Sequence, residues 1–350
     1  MRRLGKWLLR IVIAVVMLGV ALLLPVAWVE FACRGDATGD EYEAILPPEY
    51  HRAEARTLLT YPEWHIVHAY DDYAQVIDDN DPHDFGYLRA IRTYWSSLCA
   101  LKKQAASHGG MDIETKQLVY VIGVSFSVEL VFKAAYEESI GRITTWVRGA
   151  EHSPLDVLSA EQAKAYATFL QQVPWYKWDF KGDIAALDMA KSQSLRDRER
   201  RFALGGEFAA KSAYAGVIEG AVANVGADEL TLRMIVKGPD VQSLARHEGI
   251  TIINERPEGI EIETIRYRAL TKLLEQMAML NVEIVEIAGN DDIMLTVISE
   301  NPDMVGSLSS FQRQGYDDYR HLILVKVNDL LTNLAAFSNG SVRLEHVHDY

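Results

Sequence analysis

Ile11–Val29 reads IVIAVVMLGVALLLPVAWV, 19 residues without a charge. As a helix rising ~1.5 Å per residue it nearly matches a bilayer hydrocarbon core of ~30 Å. Trp7 and Trp28 flank it, and indole rings favour the membrane–water interface. Arg2, Arg3, Lys6 and Arg10 precede it, while Glu30, Arg34, Asp36, Asp40, Glu41 and Glu43 follow. This bias predicts residues 1–10 in the cytoplasm and the bulk of the chain outside, in the periplasm of a bacterium. A cleaved signal peptide is the competing reading. It needs small residues before the cut, and Glu30-Phe31-Ala32-Cys33 places a charge there. The same residues fit a lipoprotein at Cys33 poorly. We read 11–29 as an uncleaved, single-pass signal anchor, with Pro25 kinking its outer turn.

Without residues 1–35 the chain holds 30 basic and 48 acidic residues, a formal net charge of −18. Such a surface repels nucleic acid and anionic lipid head groups. Two cysteines, Cys33 and Cys99, exclude a disulfide framework. One bridge between them is open to the chain outside the cytoplasm; two free thiols is the simpler expectation. No internal repeat is visible.

Residues 30–57 read as a polar stalk with Pro47-Pro48 as a stiff step. Residues 58–226 read as an all-α bundle. Thr60-Tyr61-Pro62-Glu63 has the form of a capping box opening a helix to about Asp79. On that helix His65, His68 and Asp72 share a stripe opposite the apolar face. Imidazole and carboxylate at this spacing could hold a divalent metal such as zinc or iron. A solvated polar face is the plainer reading, since nothing else completes a tetrahedral site. Asp84–Ser107 and Asp112–Glu138 are further helices. The second is uncharged from Leu118 to Val128 and apolar all round, which predicts burial on every side. Gly123 and Ser127 on it would let a neighbouring helix come close.

Glu129 shares a face with Leu118, Ile122 and Ser125. It is the candidate catalytic acid or base, set against a structural ion pair with Lys133 four residues on. Ser159–Gln162 reads as another capping box. Pro174-Trp175-Tyr176-Lys177-Trp178-Asp179-Phe180 carries four aromatics without helical period. Trp175, Tyr176 and Trp178 are therefore candidate binding residues for an apolar ligand, the bilayer interface or the bundle itself. Arg196–Arg201 alternates in charge and reads as a solvated helix face, broken by Gly205-Gly206. Glu207–Val225 is a small-residue helix whose Gly216-x-x-x-Gly220 suits tight packing.

Residues 227–350 read as a small α+β domain of ferredoxin-like kind, in the order β-α-β-β-loop-β-α-β. Gly289–Asp292 reads as a hairpin turn. His346 and His348 lie on one face of the last strand, a metal-binding pair or an exposed terminal strand. No phosphate loop, nucleophile elbow, His-Glu-x-x-His or Cys-x-x-Cys motif occurs. The expectation is thus an accessory or scaffold protein at the membrane, held to lipid by its anchor, with a protein partner or apolar ligand. The alternative is a membrane-tethered metalloenzyme using a His/Asp/Glu site.

Overall fold

A computed structural model of the chain describes residues 2–38, 42–190, 192–222, 230–239, 241–338 and 340–350. The expected change of pattern at Gly226-Ala227-Asp228 lies outside these residues. Helix α1 (Arg2–Ala32) is continuous through Pro25. Its described side chains up to Leu24 are largely uncovered, among them Val12, Met17, Val20 and Leu23. Its last turn is different. Val29 and Cys33 are fully buried, and Cys33 is disulfide-bonded to Cys99. That replaces the two free thiols expected from sequence.

Residues 30–57 do not stand off as a spacer. Glu30 accepts from Lys102, Lys116 and Tyr120. Tyr42 donates its hydroxyl, and Ile45 and Leu46 their backbone N–H groups, to buried Glu286. Both ends of the segment are therefore held on the body.

The helical part comprises α2 (Ala55–Leu59), α3 (Tyr61–Asp79), α4 (Tyr87–Ala105), α5 (Ile113–Tyr136), α6 (Arg142–Arg148), α7 (Pro154–Leu170), α8 (Phe180–Met189) and α9 (Leu195–Val222). The capping box expected at Thr60 does not form, because α2 runs directly into α3 and the Thr60 N–H already bonds Arg56 O. The capping box before α7 is at Ser153 and Asp156, six residues earlier than expected from Ser159. Gly205-Gly206 does not break α9. Helical packing outweighs the local cost of glycine, about 1 kcal/mol each.

A π turn, Glu137–Gly141, joins α5 to α6, so Ile113–Arg148 is one continuous helix. Among the described residues it is the one helix long and apolar enough to cross a membrane; in α1 the apolar stretch so identified is the shorter Gly19–Ala32. The uncharged run Leu118–Val128 is the middle of this longer helix. The expectation of burial on every side fails: Leu118, Val121 and Phe132 are exposed. Gly123 does bring α4 close, since a Cβ there would lie 2.5 Å from the Tyr94 ring. Tyr94 donates to Val119 O, and Trp95 to the Ser127 hydroxyl. Gly216 has open space beside it, where a Cβ would meet no described atom within 4 Å.

The remaining chain forms two four-stranded antiparallel sheets rather than one. The first contains β1 (Thr231–Lys237), β2 (Ile250–Arg256), β3 (Gly259–Ile265) and β4 (Glu283–Ile287), in the order β2-β3-β1-β4. Helix α10 (Val241–Leu244) follows β1, and α11 (Tyr267–Met277) follows β3. The second contains β5 (Asp292–Ser299), β6 (Ser309–Gln312), β7 (Tyr319–Lys326) and β8 (Val342–His348), in the order β6-β7-β5-β8, with α12 (Leu330–Phe337) before β8. Gly289–Asp292 therefore links two sheets and is not a hairpin within one.

The two sheets are a tandem repeat. Met234 pairs with Ile262 on one side and Ile287 on the other; Leu295 pairs likewise with Ile323 and Val347. The register shifts between Ile235 and Val236 in the first sheet, and between Thr296 and Val297 in the second. The strand before each end matches too: Val282–Ile287 is VEIVEI and Val342–Val347 is VRLEHV. Leu232, Met234 and Val236 join Ile293, Leu295 and Val297 in one core with α11 and α12. The opposite face of the second sheet, through Met294 and Leu322, packs on Leu58, Tyr61, Trp64 and Leu101.

Candidate functional site

Helix α3 lies between the bundle and the second sheet, so both of its faces are covered. His65, His68 and Asp72, expected on a solvated stripe, are all buried. His346 and His348, expected on an exposed strand, are 1 % and 0 % exposed and meet the same helix. Trp64 stacks on His346 with ring centroids 3.4 Å apart. The rings of His346 and His348 lie 4.8 Å apart.

Each group has a defined tie. The His65 nitrogens face Tyr61 Oη at 3.4 Å and Ala90 O at 3.2 Å. Asp72 accepts from Gln314 N at 3.0 Å and faces Arg320 at 3.5 Å. Arg320 grips Glu345 with two bonds, and Glu345 lies 3.6 Å from His68 Nε2. Thr271 binds His346 Nδ1, and Thr296 binds His348 Nε2. The second nitrogens of His346 and His348, and His68 Nε2, have no hydrogen-bond partner among the described residues.

Burial holds all four imidazoles below their ordinary range, His65 and His348 at about 3. Burial pushes Asp72 up to about 6, against the pull of Arg320. The ligand atoms of His65, His68 and Asp72 are not among the described groups that converge within 4.8 Å. Those groups are Glu54–His108–Asp292 and Asp81–His83–Asp84. Both already have cationic partners: Lys326 on Asp292 and Arg148 on Asp81. The chemistry available at α3 is a set of neutral imidazoles beside a guanidinium–carboxylate network.

The second site is a narrow, solvent-open cleft among α3, α5, α7, α8 and α9. Tyr70, Tyr166, Trp178, Phe180 and Phe208 give it aromatic walls, and Lys133, Glu207 and Lys211 line its charged side. Glu129 belongs to this charged set. It accepts from the Tyr70 hydroxyl at 2.7 Å and faces Lys211 at 3.0 Å and Lys133 at 3.4 Å. Both lysines reach Glu207 at 2.8 Å. The pair expected from sequence is thus half of a four-membered network. Lys211 also lies 4.8 Å from the Tyr70 ring centroid and 5.5 Å from that of Tyr166.

Burial alone would raise the Glu207 carboxyl, but Lys133 and Lys211 hold it at about 2. Burial alone would lower Lys211, but Glu129 and Glu207 hold it well above its ordinary value. Neither is poised to move a proton near neutrality. Gln162 donates to Asp183 O, while its own side-chain oxygen has no partner among the described residues. This buried acceptor lines the cleft.

Of the aromatic loop, Trp178 reaches the cleft. Its indole N–H donates to Asp183 at 2.6 Å, and its ring meets Tyr166 and Phe169. Trp175 stacks on Tyr214 of α9, and Tyr176 packs beside it. The loop is wedged against the bundle.

No known family profile, curated protein or solved structure matches this chain.

The charge run on α9 also differs from its expected role. Arg196, Asp197, Glu199 and Arg200 are buried. Arg196 binds Asp156 and Glu199, and Arg200 binds Glu137 with two bonds. The π turn makes room for this, since Gly141 leaves space that a Cβ would contest with the Glu137 carboxylate. Alternating charge says only that the signs can pair. It does not say whether the partners lie on the same helix or across the bundle.

Proposed function

We propose that the chain is a membrane-anchored binding protein whose body works outside the cytoplasm and holds a small amphipathic ligand in the α3–α5–α7–α8–α9 cleft. The observation that carries this is the cleft itself. It sets Trp178 among aromatic walls, beside Lys133, Lys211 and Glu207, which Glu129 ties together from behind, and the unpartnered oxygen of Gln162. A ring or chain would lie on Trp178, Tyr166 and Phe208, and a hydrogen-bond donor would reach Gln162. The charge-locked network favours binding over acid–base catalysis.

In this reading α1 is the anchor, entering the membrane from the cytoplasmic side. Its charge-free run and basic N-terminal flank support that, and the Cys33–Cys99 bridge suits an oxidising compartment. The longer helix Ile113–Arg148 we place in the body, because Glu129, Lys133, Glu137 and Arg148 are tied into its networks. The two sheets we read as ferredoxin-like units, the second without its first helix. The other reading, a metal-dependent enzyme, draws on the three unpartnered imidazole nitrogens at α3.

Native mass spectrometry of the full chain from mild detergent tests the binding role. A small-molecule adduct is expected on the wild type and is lost in Trp178→Ala and Gln162→Leu. An adduct unchanged in both variants, or none on the wild type, would count against the proposal.

A further inference from the structure

The helix Ile113–Arg148 turns one side to the bundle and leaves the other uncovered. From Leu118 to Ala135 its exposed positions are Leu118, Val121, Ser125, Phe132 and Ala135, none charged. Beyond the π turn the surface continues through Ile143 and Trp146, which is 83 % exposed. The charges at this end, Glu138 and Arg142, pair with each other at 2.6 Å. An isolated exposed leucine is ordinary on a protein surface; an uncharged strip along a helix of this length marks an interaction surface.

The position of the strip indicates what covers it. Lys116, two residues before Leu118, binds Glu30 at 2.8 Å, and Tyr120 binds the same carboxylate. Lys102 adds a third bond, and the Cys33–Cys99 bridge fixes the end of α1 to α4. Val26 and Val29 of α1 share a core with Val119, Ile122 and Val124 of α5. The strip therefore starts within a turn of the place where α1 leaves the body. Further toward its N-terminus α1 also exposes apolar side chains, among them Val20, Leu23 and Leu24.

Resting on the reading of α1 as the anchor, we propose that this face, through Leu118, Val121, Phe132, Ile143 and Trp146, lies in the outer surface of the bilayer and holds the body down beside its anchor. The occupant is lipid acyl chain, in the manner of an interfacial amphipathic helix. The ion networks stay on the far side of α5, facing α3 and α9. Trp146 has the amphipathic ring suited to the interface.

Nitroxide labels on full-length protein in lipid nanodiscs test this, since both native cysteines are in the disulfide. Labels replace Val121, Phe132 and Ile143 one at a time, with Val20→Cys as the anchor control and exposed Arg198→Cys as the aqueous control. Collision rates are measured with oxygen, which concentrates in lipid, and with a water-soluble nickel chelate. We expect oxygen to exceed nickel several-fold at the three strip positions and at Val20, with the reverse at Arg198. Nickel dominance at the strip with oxygen dominance at Val20 would overturn the proposal and leave the anchor standing. Nickel dominance at Val20 as well would overturn both. Shielding of the strip from both reagents would show a protein partner or second copy there, and would overturn the lipid assignment.

Discussion

Cys33, the first residue beyond α1, is bonded to Cys99 in the interior of α4, 66 residues along the chain. The bridge joins the helix that we read as the anchor to the bundle that carries the cleft. Closing a loop of this length restricts the unfolded chain and stabilises the folded one by about 4 kcal/mol in the chain-entropy treatment. Cys99→Ser, or reduction of the wild type, should therefore lower the thermal midpoint by several degrees in detergent. An unchanged midpoint under reducing conditions would show that the bridge does not constrain the fold.

The buried arginines of α9 give a contrast within three residues. Arg200 is fully buried between Glu137 and Glu199, whereas Arg198 is exposed. Arg200→Leu leaves buried Glu137 without its cation and Glu199 with Arg196 alone, and should cost about 3–5 kcal/mol. Arg198→Ala should change stability by less than about 0.5 kcal/mol. Chemical denaturation of both variants checks this, and equal effects would restore the view of a solvated face.

Acid should loosen the joint between α3 and the second sheet. Burial holds His65 and His348 at about 3, below the 6.5 of an exposed histidine. Between those values the unfolded chain binds more protons than the folded one, so stability falls as pH drops from about 6.5 to 3. Asp72, raised to about 6, acts in the opposite sense between about 6 and 3.8 and offsets part of the loss. Denaturation midpoints measured from pH 7 to 4 should decline, with the decline reduced in His348→Asn. A flat profile would contradict the buried, neutral assignment.

Gly123 faces the Tyr94 and Trp95 rings at distances that leave no room for a side chain. Gly123→Val should push α5 from α4 and destabilise by about 1–3 kcal/mol or more. Gly216→Ala, at an open position of α9, should be neutral or slightly stabilising, since alanine favours helix. Thermal unfolding of the two variants separates the role of the two glycines.

Much of the secondary structure was legible because periodicity is local. The helices α3, α4 and α5 and the strands β1, β5, β7 and β8 follow from the spacing of their apolar residues. What was not legible depends on long-range partners. Beside Glu199 on their own helix, Arg196 and Arg200 find carboxylates on α7 (Asp156) and in the π turn (Glu137), and no spacing along α9 shows that. His65 and His68 look solvated on a helical wheel because the wheel does not include Ala90 and Tyr94 of α4, which cover the first, or Glu345 of the second sheet, which faces the second. The repeat was hidden because its units share apolar alternation while their outward residues diverge: Glu286 in the first holds residues 42–46, and His346, at the matching position, stacks on Trp64. The short β6 has too few residues for a pattern. The cleft was half visible, since Glu129 and Trp178 could be picked out separately. Tyr70, Gln162, Glu207 and Lys211 carry no motif and become site residues through packing alone.

Sidedness is the claim on which the rest depends, because it decides both the state of Cys33–Cys99 and the source of any ligand. The direct measurement is a pair of fusions after Tyr350, one to a reporter enzyme active only outside the cytoplasm and one to a reporter active only within it. Activity is expected from the first alone, with Cys33 and Cys99 resistant to thiol reagents until reduced. Activity from the second alone, with both thiols free, would contradict it.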